Sequence, residues 1–163
     1  MSIDLYVDLP HSVSLQPLLP KAGAVLAEML GLDTIPELTL HALENGRREK
    51  VENDELRDRT SPFFLISMLG EPETVGLTVP GERVSLIMSA QRTNLEYALG
   101  AAIAIALARE LGGGPIGDDW RHYGDNLQSS PEDLLRRLKV VGHGHDYREA
   151  AEQLSDRLGW ETA

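Results

Sequence analysis

The residues that could do chemistry gather in the last third of the chain. His122, His143, His145 and Asp146 stand there, with Asp118, Asp119 and Asp125 close in sequence. Imidazole nitrogen and carboxylate oxygen together form a donor set for zinc and related transition metals. His143-Gly144-His145 would place both rings on one side only in an extended segment. The remaining ligands must then come from elsewhere in the chain, and the adjoining glycines read as turn chemistry. The plainer reading of this stretch is a hydrophilic turn that ends in an N-capping Asp146. His143, His145 and His122 are the metal candidates set against that plainer reading, and no cofactor is expected.

Asp118-Asp119-Trp120-Arg121-His122-Tyr123 has a different character. Trp, Tyr and Arg are the residues that dominate binding hot spots. Asp118, Asp119, Trp120, Arg121 and Tyr123 are therefore the candidate interface. The competing reading makes Trp120 a core or lid residue over a helix end. Gly112-Gly113-Gly114 follows a helix, whereas anions bind at helix N-termini. No phosphate loop, no H-E-x-x-H and no G-x-S-x-G is present. Ser, His and Asp all occur, but a triad is defined by geometry rather than composition. No catalytic residue is nominated, and the chain reads as a non-enzyme. The alternative is a small metal-dependent enzyme or small-molecule-binding domain that uses the His- and Asp-rich C-terminal loops.

The elements that must position these residues follow from periodicity. Ile3, Leu5, Val7 and Leu9 alternate with polar residues, which predicts a half-buried strand. A helical stripe runs from Leu18 to Leu30, with Gly31 as its exit. PELTLHAL predicts a second strand, and Asn45-Gly46 is a type I′ turn signal. Arg47 to Glu52 is then either a returning polar edge strand or an exposed loop. PFFLISML is a continuous apolar run that suggests a strand buried on both faces. Val75–Val79 and Arg83–Ser89 form a hairpin around Pro80-Gly81. Thr93 to Gly114 carries a capping box, Thr93 with Glu96, and no charge from Tyr97 to Ala108. A helix apolar on every side is buried on every side, and this one is too short to span a bilayer. Ser130-Pro131-Glu132-Asp133 and Asp146 with Glu149 start two more helices. The expected fold is α+β: a mainly antiparallel sheet of about five strands packed by a buried central helix, with two short C-terminal helices. No linker or repeat divides residues 1–163, so a single globular domain is expected.

Composition narrows the partners. Asp plus Glu number 26 against 15 Lys plus Arg, a formal charge of −11. That sign opposes binding to nucleic-acid phosphates; it either serves solubility alone or speeds encounter with a basic protein. There is no cysteine, which excludes disulfides and thiolate chemistry. MSIDLYVDLP lacks the basic and apolar regions of a secretion signal, so a cytoplasmic chain is expected. The Ala-rich helix from Ala98 to Ala108, the Gly turn after it and the short Ile116-Gly117-Asp118-Asp119 segment resemble small acidic α+β immunity proteins of bacterial toxin–immunity systems. The similarity covers chiefly Val84 to Trp120 and the overall charge. It implies a non-enzymatic protein that binds and blocks a cognate toxin, often a basic one. It assigns no individual residue a role.

Overall fold

A computed structural model describes residues 3–141, 144 and 146–160. The first strand, β1 (Ile3–Asp8), lies inside an eight-stranded antiparallel sheet. Its neighbour on one side is β8 (Arg83–Ile87), with Val7 opposite Val84 and Tyr6 opposite Ser85. The hairpin partner β7 (Thr74–Thr78) follows, then β6 (Phe63–Met68), β3 (Leu38–Glu44) and the edge strand β4 (Arg47–Glu49). On its other side β1 pairs with β9 (Ile116–Gly117), and β9 pairs with β10 (Gln128–Ser129). Two further two-residue strands, β2 (Val13–Ser14) and β5 (Glu55–Leu56), form a separate small sheet. Among the described residues the sheet thus has eight strands where the sequence suggested about five. Two-residue strands carry no readable alternation, so periodicity misses them.

Asn45 and Gly46 both take positive φ, as a type I′ turn requires, and β4 is the returning edge strand. The apolar side chains of β6 are fully buried on one face only. Phe64 and Ile66 lie in the core, whereas Phe63 and Leu65 remain half-exposed on the face away from the helices. There the Phe63 ring lies across Gly76, where an added Cβ would sit 2.5 Å from Cζ. A glycine lets the ring cover the strand, so an apolar run need not mean two packed faces.

The inner face carries Leu5, Val7, Val84, Leu86, Val75, Leu77, Phe64 and Ile66. Helices α1 (Leu18–Leu30) and α2 (Asn94–Glu110) pack on it, with α3 (Pro131–Leu138) and α4 (Tyr147–Leu158) against α2. Every α2 residue from 95 to 108 is buried. Yet α2 packs against α1, α3 and α4 as well as the sheet, so among the described residues it is one of four packed helices rather than a lone central helix. The capping box at its start is half-formed. Thr93 Oγ1 accepts from Glu96 N at 3.1 Å, but the Glu96 carboxylate accepts from Ser89 N at 2.6 Å and Ser89 Oγ at 3.0 Å. Glu96 therefore ties the exit of β8 to the helix it precedes. Ser130 and Asp146 cap α3 and α4 as the sequence predicts, and Gly31 and Gly159 end α1 and α4 in the left-handed region. Among the described residues no helix is long and apolar enough to cross a membrane.

Candidate interaction surface

Residues 118–127 form the loop between β9 and β10. Its base is closed by Asp118 N donating to Leu127 O at 2.8 Å. Inside it, the Asp118 carboxylate accepts from His122 N at 3.0 Å and Tyr123 N at 2.9 Å. Arg121 N donates to Asp118 O at 3.1 Å, and Arg121 sits at φ 56. A short polar loop is thus wound around one buried carboxylate. Burial pushes the Asp118 carboxyl above its ordinary value, against the downward pull of those amides.

The loop is then bolted to the core at four points. Tyr123 is fully buried, and its hydroxyl donates to Tyr97 O at 2.8 Å. Burial raises that phenol well above its ordinary pKa, so it remains a neutral donor. Gly100 lies beneath this contact: a Cβ there would crowd Met88 Sδ at 3.3 Å and touch the Tyr123 hydroxyl at an ordinary 3.5 Å. Trp160, just past the end of α4, stacks on Tyr97 at 4.9 Å and donates from Nε1 to His122 O at 2.7 Å. Arg137 of α3 donates from Nη1 to Tyr123 O at 3.0 Å and from Nη2 to Ser129 Oγ. Each tie uses a backbone carbonyl or a buried ring, so the loop's path is over-determined.

The fourth point is ionic. The Asp4 side chain is wholly buried and accepts from Met88 N at 2.9 Å. It also pairs with the Arg92 guanidinium and lies 3.3 Å from His122 Nε2. Asp4 occupies a polar position of an alternating strand, which reads as solvent-facing. The bulge between Ile3 and Leu5 and the cover from Arg92 and His122 bury it instead.

What the loop leaves outside is Asp119, Trp120, Arg121, Asp125, Asn126 and Leu127. Trp120 is 65% exposed, so it is neither core nor lid. Asp119 accepts from the Tyr6 hydroxyl at 3.2 Å. The Tyr6 ring covers Gly117 on one side and carries the Arg83 guanidinium 4.6 Å from its centroid. Of the five residues nominated from sequence, Asp119, Trp120 and Arg121 are accessible. Asp118 and Tyr123 are not, because the loop spends both on its own folding. Tyr97, Trp160, Asp4 and Arg92 position the loop and were missed. They lie 23 or more positions from Trp120, and no local pattern links them to it.

His122 is the one metal candidate among the described residues, and its ring nitrogen faces Asp4 rather than Asp118 or Asp119. His143 and His145 lie outside the described residues. Among the described residues no group of three His, Asp or Glu side chains is arranged to hold a metal ion. The arrangement can do one thing well: present a large aromatic side chain, flanked by an acid and a base, on a rigid support. Comparison with family models, with curated proteins and with solved structures finds no match for this chain.

Proposed function

We propose that this chain is a non-enzymatic binding protein that docks another protein, of basic character, through the loop from Asp119 to Leu127. The exposed Trp120 on a fixed loop carries the reading. A tryptophan that is held in water costs free energy, and a partner that covers it recovers that cost. About 65% of a ~200 Å² side chain is ~130 Å², or roughly 3 kcal/mol at ~25 cal/mol per Å². Pre-ordering of the loop removes an entropy cost that a flexible anchor would meet on binding. The charge of −11 supports a cationic partner by speeding encounter. The resemblance to immunity proteins suggests a cognate toxin as that partner.

The test is affinity capture from native lysate with the full chain and with Trp120→Ala as bait, at low and high salt. The reading expects a protein recovered by the parent chain and lost by Trp120→Ala, with the melting temperature unchanged. Binding weakened about a hundredfold would match ~3 kcal/mol, mainly as faster dissociation. Identical recovery by the two baits would remove Trp120 as the anchor. Recovery of no protein at either salt, with a metabolite or metal copurifying, would replace the reading with the small-molecule alternative.

A further inference from the structure

We propose that an apolar groove at the opposite end of α4 takes an arginine or lysine side chain presented by the partner protein. This rests on the reading that the chain binds another protein, though not on Trp120. The groove encloses about 590 Å³ where the exit of α1, the end of β6 and the first turn of α4 meet. That lies inside the ~300–1,000 Å³ range of ligand pockets. Leu32, Pro36 and Met68 give it apolar walls. Leu69, a large apolar side chain that is 60% exposed, also lines it, and Ile35, 62% exposed, stands in sequence between the lining residues Thr34 and Pro36. A single exposed apolar residue is ordinary, but one that lines an apolar groove extends the surface a partner could cover.

Charge decides the occupant. Asp33, Glu37, Glu71 and Asp146 line the groove, and among the described residues no Lys or Arg does. Glu71 is already engaged: it accepts from the Tyr147 hydroxyl and from Arg148, which also pairs with Glu73. Asp146 caps α4 through Arg148 N and Glu149 N. Asp33 and Glu37 form no ion pair among the described residues. Arginine and lysine have the matching shape, an aliphatic stem that packs on apolar walls and a cationic head that reaches a carboxylate rim. A wholly apolar side chain would leave the rim desolvated and unpaired, and an anion would be repelled.

The probe is a blocked alanine peptide with one central arginine, titrated into the ¹⁵N-labelled full chain. Amide shifts are expected at 32–37 and 68–71, and they should weaken as salt rises from about 0.05 M to about 0.5 M. The same peptide with neutral citrulline should bind about tenfold or more weakly, since it lacks the charge-assisted hydrogen bonds. Asp33→Asn/Glu37→Gln should lose the shifts and keep its melting temperature. Trp120→Ala should keep them, which separates failure of the groove from failure of the loop. The proposal is overturned by absent shifts at these amides, by equal binding of the citrulline peptide, or by agmatine binding where the peptide does not. The last result would mark a site for a free amine rather than a protein side chain.

Discussion

Asp4→Asn isolates the ionic support of the loop. Asp4 has two acceptor oxygens inside the protein. One accepts from Met88 N at 2.9 Å, and the other meets Arg92 and His122. Asparagine keeps the shape but turns one oxygen into a donor. Whichever way the amide is oriented, its NH₂ faces either the Met88 N–H or the Arg92 guanidinium. One buried donor is left unmet, at about 1–3 kcal/mol. Arg92, whose side chain is only 18% exposed, also loses its counter-charge. Breaking a buried pair from one side costs about 3–5 kcal/mol, and residual exposure puts this case near the lower end, ~3 kcal/mol. With a urea m-value of ~2 kcal/mol per M, the unfolding midpoint should fall by ~1.5 M with m unchanged. Amide shifts at 118–123 should accompany it, because His122 is the contact between Asp4 and the loop. A midpoint drop below ~0.5 M would show that Asp4 is not the ionic anchor described.

Ala102→Arg puts an unpaired charge into a helix position with no solvent contact. A loss of at least ~3 kcal/mol is expected, seen as a melting temperature lower by roughly 6–12 °C. An unchanged melting temperature would take α2 out of the core. The Tyr147 hydroxyl, ahead of Arg148, holds the Glu71 carboxyl below its ordinary value of 4.5. An acid whose folded pKa is depressed contributes stability that is present above its unfolded pKa and lost as pH falls through the folded one. In Tyr147→Phe the Glu71 titration, followed by carboxyl ¹³C NMR, should move up towards 4.5, and Glu71's share of the acid-side loss should shrink. A Glu71 titration that stays in place would assign the depression to Arg148 alone.

The elements legible in the sequence are those whose cause is local. Gly31 and Gly159 end helices because each takes a left-handed conformation, and Asn45-Gly46 turns a hairpin for the same reason. Ser130 and Asp146 cap helices through amides two or three residues away. What the sequence hides depends on residues far apart. Glu96 caps less than predicted because Ser89 competes for its carboxylate. Asp118 and Tyr123 share the loop composition of Asp119 and Trp120, yet the first pair is buried and the second exposed. The difference is set by Tyr97 and Trp160, which hold the Tyr123 hydroxyl and the His122 carbonyl and are not near in sequence. The groove is hidden for the same reason, since Asp33 and Glu37 lie on the α1–β3 connection and Glu71 on the β6–β7 connection, which only the fold brings together.

Helix α4 joins the two surfaces. Its N-cap, Asp146, lines the groove, and Trp160, one residue past its C-cap, holds the carbonyl of His122 behind Trp120. Twelve residues at ~1.5 Å each make the helix about 18 Å long. A standard interface buries about 800 Å² per partner, a patch roughly 30 Å across. One partner is therefore large enough to reach both ends of α4. The two surfaces share no side chain, and effects at sites more than about 7–10 Å apart usually add. A partner that reaches both should show free-energy losses from Trp120→Ala and from Asp33→Asn/Glu37→Gln that sum in the combined variant. The salt dependence should follow the second pair of substitutions and the dissociation rate the first, because the screened charges lie at the groove and the buried aromatic at the loop. If the combined variant binds no more weakly than Trp120→Ala alone, the partner does not reach the groove and the two surfaces serve different contacts.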